Sequence, residues 1–402
     1  MKNYNSEILI VGSGLTGLCL ANVLSSLGYR ITIIDKRIID QKTIEKSDFR
    51  TTAISEGSKK ILDTHNLWKK MSVYAHPIKK IKIFDRSEDN KIDFINPKKG
   101  QYLGYIIENR FLKNIFLNAI KSSKNINIIS NFELINIETN EDYIEAISKD
   151  KKIKARLIIA ADGKYGPIKN LSKISRYEKN YNHGALVVNI DHSKNLNNVA
   201  YEIFKKDGPL AVLPMQNKNK KIFKSSVIWS LKKPLINSFS DPMYIKPALE
   251  QNIGGYIGEV LNINDQKIFN LSAHLNSKFY DKRLVFVGDS AHSVHPIAGQ
   301  GWNLGIRDIE NLHTSIEEAT QLGLDIGTNS VLKKYNNKSF YDAFLLYQIT
   351  DKINSIFLNE GRFLKGCRQA GINFIDRNLK INELISSYAM GNQLNFFSLP
   401  RN

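Results

Sequence analysis

Apolar residues along this 402-residue chain change their period several times, and each change marks an element. Residues 7–11 (EILIV) are a short apolar run, as in a strand covered on both faces. The glycine-rich stretch Gly12–Gly17 follows, then helical spacing over 15–28, then a second apolar run from Tyr29 to Asp35. That order predicts a β-α-β opening. Residues 55–70 and 110–123 carry apolar positions at helical spacing. From Ile78 to Tyr105 the pattern alternates, as in short strands. Further strands are predicted near 126–130, 133–138, 143–147 and 153–160. Residues 181–231 are rich in β-type runs such as GALVVNI, LAVLP and FKSSVIWSL. A helix is expected near 242–252, a strand at 268–275, and a last buried strand, RLVFVG, ending at Gly288. Beyond Trp302 the pattern is mostly helical to Met390. No repeat or low-complexity linker separates these parts, so a nucleotide fold is expected to be left and returned to around a sheet-rich lobe.

Composition narrows the class. The length exceeds what one core fills, which implies two lobes. No apolar run reaches the length of a membrane span, and the opening residues lack the order of a secretory signal. Cys19 and Cys367 are the only cysteines, so a disulfide framework is excluded and a reducing cytoplasm is expected. The net charge of +18 fits either solvated surface lysines or attraction to an anionic bilayer. No nucleic-acid module accompanies it, so nucleic acid is not an expected partner.

Three separated stretches carry candidate chemistry. The first is Gly12-Ser13-Gly14-Leu15-Thr16-Gly17, between a strand and a helix. There Gly12 permits a tight turn, Gly14 admits a pyrophosphate to the backbone, and Gly17 lets helix and strand pack. The helix N-terminus offers free N–H groups to the phosphates. Asp35, at the end of the second strand, is placed to accept hydrogen bonds from ribose hydroxyls. The second is Ala160-Ala161-Asp162-Gly163, which alone reads as a turn. The third runs Gly288-Asp289-Ser290-Ala291-His292, then Pro296, Gly299-Gln300-Gly301, Asn303, Gly305 and Asp308. Asp289 can bind a sugar hydroxyl, and Gly299–Gly301 can aim successive N–H groups into one anion-stabilising concavity. A rival reading makes Asp289, His292 and His295 metal ligands, but Pro296 and the glycines break any helix there and no third His or Cys is close. No metal is therefore expected.

Taken together, these stretches resemble the three fingerprints of the single-component FAD monooxygenases of the aromatic hydroxylase class. Within that class the ubiquinone-biosynthesis hydroxylases are the nearest likeness. It rests on Arg50-Thr51-Thr52-Ala53-Ile54-Ser55, His292-x-x-x-Pro296-x-x-Gly299-Gln300-Gly301-x-Asn303, and Leu379-Lys380 followed by Ala389-Met390-Gly391. Ser290 stands where a second alanine is common and Asp35 where glutamate is common.

The resemblance implies an α/β fold with a Rossmann-like FAD-binding domain (1–75, 106–178 and 276–330). It is interleaved with an α+β substrate domain holding a mixed or antiparallel sheet (76–105 and 179–275), and a helical region follows (331–402). FAD would be held by Gly12, Gly14, Leu15, Thr16, Gly17, Asp35, Lys36, Arg37, Arg50, Ala53, Arg110, Asp162, Gly163, Asp289, Pro296, Gly299, Gln300, Gly301 and Asn303. NADPH or NADH would reduce it. Oxygen would add at flavin C4a, and the hydroperoxide would hydroxylate the ring of a polyprenyl phenol. Pro296, Gly299 and Gln300 would flank the reactive ring, with no side chain named as catalytic. His183, Tyr201 and His274 are candidates to face the substrate. An FAD enzyme acting on another phenol, or a prenyl reductase, is the alternative. A tailed substrate also implies peripheral contact with the inner face of the cell membrane, and possible membership of a quinone-biosynthesis complex. Lys365, Arg368, Arg377 and Lys380 among Phe363, Leu364, Phe374 and Leu379 would supply the docking face.

Overall fold

The continuous apolar runs meet side by side. In the computed structural model, which describes residues 2–43, 48–85, 87–96, 98, 100–217, 221–358 and 361–391, Ile8–Val11 is buried along its whole length. It pairs in parallel with Ile31–Ile34 on one side and Leu157–Ala160 on the other. Ile126–Ile129 and Leu284–Phe286 extend the parallel sheet, and Tyr280–Asp281 closes its edge as a hairpin. Residues from all three motifs leave the same end of these strands. A parallel sheet is covered on both faces by its crossovers, which is why the strands read as unbroken apolar runs rather than alternating ones. The helices Leu15–Leu24, Asn109–Lys121 and Gly301–Gln321 contribute buried residues to this core.

A second sheet of eight strands stands apart. Its order is His292–Ser293, Val260–Asn276, Arg176–His192, Phe223–Lys232, Gly208–Met215, Val199–Lys205, Lys80–Asp85 and Ser87–Ile95. All neighbours are antiparallel except Val199–Lys205 with Lys80–Asp85. One face packs on the helix Ile245–Ile257 through Leu186, Val188, Ile203, Leu210, Trp229, Leu249 and Ile253. The other meets Ile106 of a three-stranded sheet (Thr51–Ser55, Gly104–Glu108 and His76–Ile78) and Ile372 of the C-terminal helices, with Ala53 packed against the same cluster. The fold is thus α/β with an interleaved, mixed second sheet.

Several boundaries differ from the sequence pattern. The run at 153–160 is two strands in two sheets. Lys151–Ala155 joins a small four-stranded sheet, and Leu157–Ala160 joins the parallel one. Alternating KKIKA has one buried face, whereas LIIA has two. The helix predicted over 55–70 breaks at Asn66, whose φ of 56° is left-handed, into Glu56–Thr64 and Trp68–Met71. The strand predicted at 268–275 runs the full length Val260–Asn276, with register shifts against its neighbour absorbing the added twist.

At the C-terminal end, Met390 accepts a hydrogen bond from the Gly57 N–H (2.8 Å), so the Met390-Gly391 pair seats on the start of Glu56–Thr64. The side chains of Leu379 and Ala389 lie outside the described residues, as do those of Phe363 and Leu364. The docking face needs a correction. Arg368 is buried and ion-paired with Asp85 at 3.2 Å, because an isolated guanidinium cannot be desolvated cheaply. Lys365, Phe374, Arg377 and Lys380 are exposed. No helix among the described residues is long and apolar enough to cross a membrane.

Candidate active site

The first turn is built by exclusion. Gly12 has φ +108°, and a Cβ there would strike the Ala161 carbonyl and the Asp162 backbone. The first and second motifs therefore meet at a point only glycine can occupy. A Cβ on Gly17 would run into the Gly12 carbonyl. Gly14 differs from both. Nothing lies within 4 Å of where its Cβ would stand, and its backbone is ordinary extended chain. Leu15–Leu24 starts beside it without a side-chain cap, so its first N–H groups have no partner within the helix. Open space before a free helix N-terminus is a place for phosphate.

Asp35 is buried and collects donors. The Ser13 N–H (2.9 Å) and hydroxyl (2.7 Å) reach one oxygen, and the Arg37 N–H (2.9 Å) reaches the other. Burial opposes its ionisation, but these hydrogen bonds and the Arg37 charge together hold its carboxyl below the usual range. Ser13 was not among the expected residues; its place inside the glycine pattern hid a bond to a carboxylate far along the chain. Lys36 and Arg37 are exposed beside Asp35.

The third motif turns at Gly288 (φ +60°), where a Cβ would come within 3.0 Å of the Thr16 hydroxyl. The first and third motifs thus touch. Asp289 next to it is open to solvent. The protein around it desolvates its carboxyl and raises it, with the charges of His292, Arg50 and Lys164 working against that rise. Ser290 ties the second motif to the third: its hydroxyl donates to Asp162 (2.8 Å) and accepts from the Gly163 N–H (2.9 Å). The other Asp162 oxygen accepts from the Ile168 N–H (3.0 Å). Both oxygens of Asp162 are therefore engaged by protein donors, so it acts as a joint. Ser290→Ala is expected to destabilise the fold by about 1–2 kcal/mol, read by urea unfolding, while flavin stays bound.

Further along, His292 is buried with its Nε2 on Asp308 (2.6 Å), and Asp308 also accepts from the Gly288 N–H (3.0 Å). His295 is buried with both ring nitrogens unpartnered and its ring edge-on to Tyr181 at 4.8 Å. Burial, first, and the nearby His183 push His295 down to about 4. Asp289, His292 and His295 do not converge. Among the described residues the group with metal-ligand spacing is His65, Glu310 and His313, where His65 and Glu310 already share a 2.7 Å hydrogen bond.

Gly299 has φ +61° and packs toward Ala53, whose Cβ would lie 3.1 Å from one on Gly299. A Cβ on Gly301 would meet open space, and Gly301 opens the helix Gly301–Gln321. Asn303 is buried and fully used: it accepts from the Ser55 N–H (2.9 Å) and donates to the carbonyls of Ala53 (2.8 Å) and Gly299 (3.2 Å). It stitches the loop to the strand Thr51–Ser55.

The strand's entry is set by Asp48, which sequence reasoning missed. Its buried carboxylate takes Arg50 (2.7 and 2.9 Å), Lys113 (3.1 Å) and Asn109 (3.2 Å). Arg50 lies over the Phe269 ring at 5.3 Å. Arg110 pairs with Glu108 at 2.5 Å. Of the residues expected to face substrate, Tyr201 packs its ring at a tilt against Tyr256 of the helix Ile245–Ile257, 4.7 Å between centroids, on the sheet face turned away from Ala53. It is a packing residue, because the alternation of its strand places it there. His274 is buried behind the third motif, opposite Ser293. His183 lies close enough to His295 to affect it.

A known family answers to this arrangement. The FAD binding domain family matches residues 5–339, which include all three motifs. The chain belongs to the FAD binding domain family. Among its relatives, the ubiquinone hydroxylase UbiL of Rhodospirillum rubrum is 28% identical and covers 96% of this chain and 90% of its own. The ubiquinone hydroxylase UbiM of Neisseria meningitidis is 27% identical, covering 92% and 82%. The 3-demethoxyubiquinol 3-hydroxylase of Escherichia coli is 24% identical, covering 97% and 100%. The solved p-nitrophenol 4-monooxygenase PnpA of Pseudomonas putida superposes with a TM-score of 0.79 at 16% identity, covering 98% and 100%, a likeness of fold.

The cofactor of the family is FAD, and the residues present fit it. Three features suit it: open space before Gly14, an exposed Asp289 between two buried neighbours, and open space at Gly301 where a helix starts.

Proposed function

We propose that this chain is an FAD-dependent monooxygenase that hydroxylates the aromatic ring of a polyprenyl phenol in ubiquinone biosynthesis. The observation that carries the reading is the meeting of two surfaces. One is the cradle of glycines, helix N-termini and carboxylates. The other is an apolar wall in which Ala200, Leu213 and Met215 of the large sheet cluster with Ala53 and Ile106 of the three-stranded sheet. The ubiquinone hydroxylases named above support the substrate class.

FAD would rest on Gly12, Gly14, Leu15, Thr16 and Gly17, with its ribose at Asp35, Lys36 and Arg37. Arg50, Arg110 and Asp289 line its middle, and Ala53, Pro296, Gly299, Gln300 and Gly301 stand at the ring. Asp162, Gly163 and Asn303 hold these parts in place. When bound and reduced by NADPH or NADH, FAD activates oxygen for transfer to an electron-rich ring. The chain's own share is orientation and charge. The N–H groups from Gly299 to Gly301 would favour negative charge on the ring system. The apolar wall would exclude water. The parallel-sheet segments (1–75, 106–178, 276–330) would carry the cofactor, the large sheet (76–105, 179–275) the substrate, and 331–402 would cover them.

Expression in strains each blocked at one quinone-ring hydroxylation tests the reading. Restored ubiquinone in one strain is expected; failure in all, with the protein present and flavin-loaded, would move it to another phenol or to a prenyl reductase. Contact with the membrane follows from a tailed substrate and the exposed Lys365, Phe374, Arg377 and Lys380. The purified protein is expected to sediment with anionic liposomes at low salt and to release at high salt. No sedimentation at low salt would contradict docking.

A further inference from the structure

Strand alternation puts one unpaired carboxyl on the apolar wall. In Val199–Lys205, Tyr201 and Ile203 face the helix Ile245–Ile257, so Ala200, Glu202 and Phe204 face the opposite way. Ala200 belongs to the cluster that includes Ala53, and Phe204 stacks on Phe357 at 3.8 Å. Glu202 lies between them. Its row across the sheet is Ile83, Glu202, Ala211, Ile228 and Val187, ending at Lys267. Four of its neighbours in that row are aliphatic.

Glu202 is 9% exposed. No salt bridge or hydrogen bond of its side chain is found among the described residues. By strand alternation Asp85, two residues beyond Ile83 on the neighbouring strand, shares its face and is paired with Arg368; Lys224, on the same face, and Lys267, at the far end of the row, lie two and four strands away. Burying a carboxyl without a partner costs free energy, and nothing in the fold recovers it. The side chain contributes no cap, no ion pair and no joint. A ligand that brings its own hydroxyl would supply the missing partner.

We propose that Glu202 is a catalytic residue: the carboxylate that accepts the ring-hydroxyl proton of the bound phenol. This deepens the hydroxylase reading and rests on it. In the step, the phenolic O–H bond breaks and an O–H bond forms at a Glu202 oxygen. The electron pair stays on the phenolic oxygen, and nothing is oxidised or reduced. The resulting phenolate is a more electron-rich ring, which is what an electrophilic oxygen requires. The proton returns when the product leaves. Burial pushes the Glu202 carboxyl up to about 8, which makes it a stronger base than an exposed glutamate and leaves it partly ionised near neutral pH. The apolar row around it strengthens the hydrogen bond it forms.

The test uses the flavin-loaded wild type, Glu202→Gln and Glu202→Asp, with 2-farnesylphenol as the probe and NADPH as reductant. Glu202→Gln keeps the shape of the side chain and removes a buried charge, so its flavin content is expected to match the wild type. The ultraviolet difference spectrum of bound phenol is expected to shift toward phenolate in the wild type as pH rises through about 8, and to stay that of neutral phenol over the same range in Glu202→Gln. Hydroxylation by Glu202→Gln is expected to fall about 100-fold. The rise in wild-type rate through about pH 8 should be absent from it and retained in Glu202→Asp. Equal rates and equal pH profiles in wild type and Glu202→Gln would overturn the assignment and leave the hydroxylase reading standing. A wild type that binds and turns over no prenylphenol would overturn both, and is seen without any variant.

Discussion

Gly14→Val is expected to fold normally and to emerge without flavin. The three glycines of the first motif have different jobs, and the geometry separates them. Added side chains at Gly12 and Gly17 collide with backbone carbonyls, so substitutions there strike the fold itself. At Gly14 no atom lies within 4 Å of the new Cβ, and the extended backbone suits a β-branched residue. The valine methyls would occupy only the space before the helix N-terminus. If pyrophosphate fills that space, affinity should fall at least 100-fold, about 2.7 kcal/mol. Visible absorbance per protein reads flavin content, and urea unfolding of the flavin-free proteins should agree within about 1 kcal/mol. A Gly14→Val protein that carries wild-type flavin would mean the cofactor lies elsewhere.

The second large effect belongs to Asp48. Asp48→Ala is expected to destabilise the protein by about 3 kcal/mol and to weaken flavin binding. One buried carboxylate serves Arg50, Lys113 and Asn109, so its loss strands two cations and an amide together. It also frees Arg50, whose charge is felt at Asp289. Burial opposes ionisation of Asp48, but the hydrogen bond and charge of Arg50 outweigh it, with Lys113 and Asn109 adding to them; the carboxyl is held well below its ordinary value of 3.8. A depressed carboxyl stabilises the fold above its unfolded pKa and loses that contribution as pH falls through the folded one. Wild type should therefore lose stability as pH drops below about 4, and Asp48→Ala should lose less over the same range. Urea unfolding at pH 3 and pH 7 measures the difference. Identical acid sensitivity in the two proteins would contradict the role.

The buried architecture was legible because an unbroken apolar run bounded by a glycine turn is stable only where both of its faces are covered. Ile8–Val11 and Leu284–Phe286 read as buried strands and lie on either side of Leu157–Ala160 in the parallel sheet, whereas Leu157–Ala160 was merged with the run before it. The joints were not legible. Ser290 was visible only as a departure from a common alanine, and its bridge between Asp162 and Gly163 depends on chain segments far apart. Asp48 precedes Arg50 by two positions, a spacing with no signature of its own. Tyr201 and Glu202 are adjacent, and the period of two decides which faces the wall. The aromatic drew attention as a substrate contact, yet it packs on Tyr256, while the carboxyl beside it faces inward. Arg368 likewise read as surface charge until Asp85 was brought beneath it. Pairings of this kind arise from tertiary geometry, which a local pattern does not encode.

The most direct test is titration of the flavin-free protein with FAD, followed by visible absorbance and by flavin fluorescence. Saturation at one equivalent is expected, and Gly14→Val and Asp289→Ala should each bind more weakly, the latter by about 1–3 kcal/mol for a lost sugar contact. A correctly folded protein that takes up no FAD, or takes it up equally with both substitutions, would contradict a cradle assembled from these separate motifs.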